Sequence, residues 1–323
     1  MTQPDRLRTL LERPGILVMP GCHDAMSARL IEEAGFELGF MSGFAVSGAR
    51  LGMPDTGLIS YGELVDQGQN ICRAVSIPLI GDGDTGFGSA QNIKRTVQGY
   101  ERAGFAAIML EDQVAPKRCG HTEGKSVVGR DEALTRVRAA VDARDAGGGI
   151  LIMARTDARA CISLDEAIQR CQLFREIGAD ITFLEAPLGE EEMRRYCSDV
   201  EGPKMANLIE GGKTPLLPPS RLEAIGYKIA VYPLTLLNVS IQAMRDALAS
   251  LARSERPAAA MDFEQLKKAV GFPAYYAEEA RYGTSTTSTA NRPRGSAVSG
   301  TQSPGDDQTL HRGRRRRDPR DHQ

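Results

Sequence analysis

The sequence is poor in the features that mark several large classes of protein. No apolar run approaches the roughly 18 residues that a bilayer-crossing helix requires. Residues 1–10 are polar and carry no signal-peptide apolar core, so a cytoplasmic location is expected. The six cysteines (Cys22, Cys72, Cys119, Cys161, Cys171 and Cys197) show no paired spacing. That argues against a disulfide framework and for a reducing compartment. The formal net charge is only −2 over 323 residues. So small a charge gives no reason to expect nucleic acid or a membrane as the partner of the whole chain.

What is present is ordinary for a globular enzyme: 41% hydrophobic and 25% charged residues, in a chain long enough to bury a sizeable core. The exception is residues 283–323, which hold eight arginines, four acids and almost no large apolar side chains. Such a stretch buries too little apolar surface to offset its ordering entropy, so a disordered tail is expected there. Its Arg314–Arg317 run is read as solvated rather than as a contact for RNA or acidic lipid. The catalytic domain is expected to occupy residues 1–282.

Between residues 15 and 254, short apolar runs alternate with amphipathic segments. Strands are expected at 16–20, 38–41, 78–81, 106–110, 150–154, 181–184, 204–208 and 228–232. Their near-continuous apolar character suits parallel strands covered on both faces. Helices are expected at 25–34, 61–75, 90–103, 131–146, 164–177, 190–197, 219–225 and 236–252. Gly35, Gly104, Gly178 and Gly226 stand where C-terminal capping glycines belong. Eight βα units over about 240 residues match an α/β fold of the (β/α)8 TIM-barrel type. An open doubly wound sheet is the alternative, because counting strands does not detect closure.

Barrel chemistry gathers at the C-terminal ends of the strands. The residues following the apolar runs are Ser42-Gly43, Asp82 and Asp84, Glu111-Asp112, Arg155 and Asp157, Glu185, and Asn207 with Glu210. Polar groups thus collect at one end of nearly every strand. Gly81-Asp82-Gly83-Asp84-Thr85-Gly86 formally fits a dinucleotide-binding glycine motif, but two aspartates would repel the pyrophosphate. Asp82 and Asp84 with Glu111 suit a hard cation better, magnesium first and manganese second.

Residues 113–130 lack a helix or strand pattern and contain Lys117-Arg118-Cys119-Gly120-His121. A segment this long in a compact domain is commonly a lid or binding loop. Cationic neighbours and His121 favour a reactive Cys119 thiol, whereas one Cys and one His are too few for zinc. Arg155 is read either as a carboxylate clamp or as a structural ion pair. Asp55 lies in another loop, where an exposed turn is the plain reading. Phe44, Val46 and Leu234 are expected to shape the pocket.

Together, Phe40-Met41-Ser42-Gly43, Asp82-Gly83-Asp84-Thr85-Gly86, Glu111-Asp112-Gln113, Pro116-Lys117-Arg118-Cys119-Gly120-His121, Ala154-Arg155-Thr156-Asp157 and Ala206-Asn207 resemble the isocitrate lyase / phosphoenolpyruvate mutase superfamily. The likeness runs from about residue 5 to 282 and is nearest to the short members. These cleave 2-methylisocitrate or 2,3-dimethylmalate, or act as phosphonomutases. The resemblance implies a (β/α)8 barrel with a C-terminal helical extension, and homotetramers that exchange a C-terminal helix. It also implies magnesium held by Asp82, Asp84 and Glu111, largely through water. Ser42, Gly43, Arg155 and Asn207 would bind a 2-oxo or 2-hydroxy acid, and Glu185 would lie near its second carboxylate. Asp55 would support the metal side, while Lys117, Cys119 and His121 would ride on a gating loop. The implied activity is carbon–carbon cleavage of a 2-hydroxy di- or tricarboxylate to a 2-oxo acid, with phosphonomutase or oxaloacetate decarboxylase chemistry as the alternative. Phe40 stands where several lyases of the family carry tyrosine, so that proton-handling hydroxyl is absent here.

Overall fold

Alternation along the strands decides which side chains fill the interior. Leu17 and Met19, Ala107 and Met109, Leu151 and Met153, and Ile181 and Phe183 are paired two apart and share one buried cluster. Intervening residues such as Ile108, Ile152 and Ala154 belong to a second cluster that includes helix side chains. A period of two therefore sorts each strand between the inside of a barrel and the layer beneath its helices.

The computed structural model describes residues 1–120 and 124–282. The strands are β1 (Leu17–Cys22), β2 (Gly39–Met41), β3 (Leu79–Asp82), β4 (Ala107–Glu111), β5 (Leu151–Thr156), β6 (Ile181–Leu184), β7 (Met205–Asn207) and β8 (Ile229–Tyr232). All their pairings are parallel, in the order β6-β5-β4-β3-β2-β1-β8-β7. A parallel bridge between Thr182 and Lys204 joins the two outer strands and brings the sheet round to a nearly closed (β/α)8 barrel. The open-sheet alternative falls with that bridge.

The helices in chain order are α1 (Gln3–Glu12), α2 (Ala25–Glu33), α3 (Gly43–Leu51), α4 (Tyr61–Ala74), α5 (Ala90–Ala103), α6 (Arg130–Asp145), α7 (Ala158–Cys161), α8 (Leu164–Ile177), α9 (Glu190–Asp199), α10 (Pro219–Ile225), α11 (Thr235–Ala252), α12 (Phe263–Val270) and α13 (Phe272–Tyr282). Strand and barrel-helix positions follow the hydrophobic pattern to within a residue or two. Sequence reasoning missed α1, α3 and the short α7. Helix α1 sends Leu7 and Leu10 into the barrel-interior cluster, closing the end opposite the strand C-termini. Helix α3 holds Gly43, Ser47 and Gly48, poor helix formers, and is stabilised by burial of Ala45 and Val46. That helix also corrects one expectation: Val46 packs in the core, while Phe44 and Leu234 line the pocket.

The chain divides into two compact units, Met1–Phe263 and a second beginning at Glu264. The boundary falls inside the 1–282 span expected for the catalytic domain. Residues 283–323 and His121 lie outside the described residues. Among the described residues, no helix is long and apolar enough to cross a membrane.

Candidate active site at the C-terminal ends of the strands

The inward alternation continues one step beyond the apolar layer, and there it turns polar. Ile80 is followed two residues on by Asp82, Met109 by Glu111, Met153 by Arg155, Phe183 by Glu185, and Met205 by Asn207. A single rule of strand geometry thus brings five polar side chains to one end of the barrel. Four of them, Asp82, Arg155, Glu185 and Asn207, border a cavity of about 470 Å³, counting its open mouth. Ser42, Asp55, Asp82, Lys117, Cys119, Arg155, Glu185 and Asn207 all line it. Asp84 and Glu111 are not among the lining residues; they pair with Lys117 and Arg155, which are.

The acidic side is built from three segments. Gly43 N–H donates to Asp82 Oδ2 at 3.1 Å, and a methyl group placed on Gly43 would sit 2.7 Å from that oxygen. Only glycine lets the head of α3 approach so closely. Asp84 has a left-handed backbone (φ 48°) and donates its N–H to Asp82 Oδ1 at 3.0 Å. Lys117 Nζ lies 2.6 and 2.7 Å from the two oxygens of Asp55 and 2.9 Å from Asp84 Oδ1. Asp55 is therefore buried and paired, and the exposed-turn reading is wrong.

Arg155 anchors the opposite side. Its Nε lies 2.9 Å from Asp157 Oδ2 and 3.2 Å from Glu111 Oε2, and its Nη2 lies 3.3 Å from Glu185 Oε2. The guanidinium also stacks on Phe183, 5.2 Å from the ring centre. Asn207 Nδ2 donates to Glu185 at 3.1 Å. Gly120 packs against Arg155 and Glu185: a methyl group there would meet the Glu185 carboxyl carbon at 2.7 Å. Arg155 is therefore an ion-paired residue that also lines the cavity.

Charge in this site is unbalanced. Six buried carboxylates (Asp55, Asp82, Asp84, Glu111, Asp157 and Glu185) face three buried cations, Lys117, Lys125 and Arg155. Burial, with repulsion from Asp82 and Asp55, pushes the Asp84 carboxyl up to about 7 despite Lys117. Burial likewise raises Glu111 well above the carboxylate range, although Arg155 and Lys117 oppose the shift. Burial alone would lower Lys117, but the carboxylates of Asp84, Asp82 and Asp55 outweigh it and hold the ammonium charged. At Asp157, Arg155 and Lys125 overcome burial and bring the carboxyl down to about 2.

Among the described residues, no three His, Cys, Asp or Glu side chains converge as a direct metal-ligand set. Asp84 pairs with Lys117, Glu111 pairs with Arg155, and Asp82 accepts from the Gly43 and Asp84 N–H groups, so a compact three-carboxylate cage is not what the fold builds. The residues still suit a divalent cation held through water. Glu111 Oε1 is buried without a hydrogen-bond partner, and the excess negative charge lies on hard oxygen donors.

Sequence reasoning named Phe40, Phe44 and Leu234 of the apolar wall but missed Met205, Ile209 and Val231. Strand alternation already held the signal for most of it. It also assigned no role to Lys125, which lies in an unpatterned loop. Asp112, beside Glu111, points the other way and binds Thr156 and Arg170. Glu210 is exposed and accepts a hydrogen bond from Thr235.

The chain as a whole is similar to known proteins. The family model described as phosphoenolpyruvate phosphomutase matches residues 7–252. A 2,3-dimethylmalate lyase from Eubacterium barkeri is 45% identical over 262 residues, covering 81% of this chain and 90% of the relative. A 2-methylisocitrate lyase from Aeropyrum pernix is 45% identical over 243 residues, covering 75% and 77%. The solved structure of an oxaloacetate acetylhydrolase in complex with 3,3-difluorooxalacetate superposes with a TM-score of 0.85 at 32% identity, covering 88% of this chain and 98% of that one.

Proposed function

This chain belongs to the phosphoenolpyruvate phosphomutase family and is an enzyme of lyase type, and from that premise we propose that it is a magnesium-dependent carbon–carbon lyase. Its substrate is a branched 2-hydroxy dicarboxylate of the 2,3-dimethylmalate kind, cleaved to pyruvate and a second carboxylate. The observation that carries the choice is the two-sided cavity. Asp82, Lys117, Arg155, Glu185 and Asn207 form a polar side, and Phe40, Phe44, Met205, Val231 and Leu234 supply apolar surface. Methyl branches bury well on such a surface. A third carboxylate placed there would lose its hydration without gaining a partner.

Asp82, Asp84 and Glu111 are the residues that would hold magnesium, which supplies Lewis-acid polarisation of the substrate's 2-oxygen and adjoining carboxylate when bound. Arg155 keeps its charge at any physiological pH, and Asp157 fixes its orientation toward developing enolate charge. Ser42 lines the cavity at the head of α3, where the helix dipole favours a carboxylate. Asn207 and Glu185 form the polar end that receives the second carboxylate. Cys119 lines the cavity, which supports a role as the acid that delivers a proton to the carbanion left by bond cleavage. His121 rides on the same loop in the family pattern.

Helix α11 supports a homo-oligomer, a tetramer by family resemblance. It leaves Val239, Met244, Leu248 and Leu251 more than half exposed. The same unit holds an apolar groove lined by Val18, Leu30, Phe36 and Leu236. A C-terminal helix received from a second copy would cover both surfaces.

The deciding experiment measures pyruvate release from 2,3-dimethylmalate, 2-methylisocitrate and oxaloacetate, with magnesium and after EDTA treatment. Cleavage of dimethylmalate at least ~10-fold faster than methylisocitrate, lost with EDTA and restored by magnesium, is expected. Preference for methylisocitrate would overturn the dicarboxylate choice. Metal-independent turnover would overturn the role given to the three acids.

A further inference from the structure

Lys125 is almost entirely buried, with a side chain only 3% exposed, and it does not line the cavity. Its ammonium donates to Asp157 Oδ1 at 2.6 Å and to the Gly120 carbonyl at 2.5 Å. The same Asp157 carboxylate accepts from Arg155 Nε at 2.9 Å and Nη2 at 3.2 Å. One carboxylate therefore holds both the guanidinium that faces the substrate and, through Lys125, the backbone next to Cys119.

The fixed end of this chain of contacts is rigid. Asp157 N–H donates to Asp112 Oδ1 at 2.9 Å, and Asp112 Oδ2 accepts from Thr156 Oγ1 at 2.5 Å and Arg170 Nη1 at 2.9 Å. Arg170 is itself 1% exposed and is held by Glu166. Asp157 thus cannot follow the loop if the loop lifts. The movable end rests on Gly120, whose missing side chain lets the backbone lie against Arg155 and Glu185. The Lys125 backbone is tied down separately, its carbonyl accepting from Cys161 Sγ at 3.5 Å.

We propose that Lys125 is a positioning residue that latches the Cys119 loop onto Asp157, so that one buried carboxylate sets the loop and Arg155 together. Lys125 touches no reacting atom. With the latch made, the thiol and the guanidinium face the cavity in a fixed relation; with it broken, Arg155 keeps Asp157 but the backbone at Gly120 loses its anchor. Loop placement governs the proton-delivery step rather than substrate capture, so the effect falls on kcat more than on KM.

The kinetic consequence rests on the lyase reading, while the latch itself does not, and the test separates the two. Full-length wild type, Lys125→Met and Lys125→Arg are treated with iodoacetamide, and alkylation of each cysteine is followed by peptide mass mapping. In Lys125→Met, Cys119 is expected to alkylate about 10-fold faster while Cys72 and Cys197 keep their rates. Lys125→Arg, which retains a cation, is expected to stay within about 3-fold of wild type. With 2,3-dimethylmalate, Lys125→Met is expected to lose about 100-fold in kcat with KM changed less than about 3-fold, and Lys125→Arg to recover most of it. An unchanged Cys119 rate in Lys125→Met overturns the latch. A uniform rise at all cysteines also overturns it, because that marks a merely structural residue. If wild type turns over none of the candidate acids, the lyase reading fails while the alkylation rates still decide the latch.

Discussion

Lys117 Nζ and Asp55 Oδ2 lie 2.7 Å apart, with both side chains 5% exposed, although 62 residues separate them in the chain. The pair ties the loop after α3 to the loop after β4 and, through Asp84, to the end of β3. Breaking a buried pair by removing one partner costs about 3–5 kcal/mol, because the remaining charge stays buried. Asp55→Ala is therefore expected to lower Tm by roughly 10 °C in a domain of this size. It should also reduce pyruvate release at least ~100-fold, with Asp55→Asn milder on both counts. Calorimetry and steady-state kinetics check this; an Asp55→Ala protein with wild-type Tm and turnover would show the pair to be peripheral.

Cys119 lines the cavity beside Gly120 and Arg155. Replacing it with serine keeps the size but raises the side-chain pKa beyond useful proton transfer. Cys119→Ser is expected to lose at least ~1000-fold in kcat while the thermal shift produced by magnesium stays unchanged. Scanning calorimetry with and without magnesium, run beside the kinetic assay, separates the two effects. Near-wild-type turnover in the variant would remove the thiol from the mechanism.

Asp157 gives a pH-dependent contribution whose sign is set by its environment. Arg155 and Lys125 overcome the burial penalty and hold its carboxyl at about 2, below the usual value of 3.8. A depressed carboxyl stabilises the fold above its unfolded-state pKa and loses that contribution as pH falls through the folded one. The shift corresponds to about 2 kcal/mol. The stability difference between wild type and Asp157→Asn should thus be full at pH 5–7 and shrink steadily between pH 4 and 2. Urea denaturation of both proteins across that range tests it, and a pH-independent difference would contradict the assignment.

The apolar residues left exposed along α11 lead to a prediction about assembly. Val239, Met244, Leu248 and Leu251 are each more than half exposed, and an unpaired helix face of this kind is costly in water. The native mass by light scattering is expected to be a multiple of the chain mass, 34.9 kDa. The double change Met244→Glu and Leu248→Glu should lower it. A monomeric wild type would mean that something other than a second copy covers this face.

Much of the site was legible along the chain because strand periodicity has no freedom of phase once one face is buried. From Met109 and Met153 in the interior, two further residues lead to Glu111 and Arg155, and the same step leads from Phe183 to Glu185. The (β/α)8 order was equally readable from alternating apolar runs. Closure was not, since it rests on one bridge between Thr182 and Lys204, residues whose pairing leaves no local mark. Helix α3 was hidden by its glycines, because tertiary burial there overrides weak propensity.

By itself, the sequence determined which residue types stand at each strand end, and with them the expectation of a hard-cation, carboxylate-binding chemistry. The family follows from the same motifs. Only the tertiary structure decided which acids are paired and with what. It buried Asp55 against Lys117 and turned Asp112 away toward Arg170. It also brought Lys125 from an unpatterned loop onto Asp157, where that carboxylate already held Arg155. Ion pairs between distant segments depend on where loops land, and that is set by the packing of the whole barrel rather than by any local pattern. The Gly81–Gly86 turn could be recognised from its spelling, whereas the contacts of Lys125 with Asp157 and Gly120 became visible only in three dimensions.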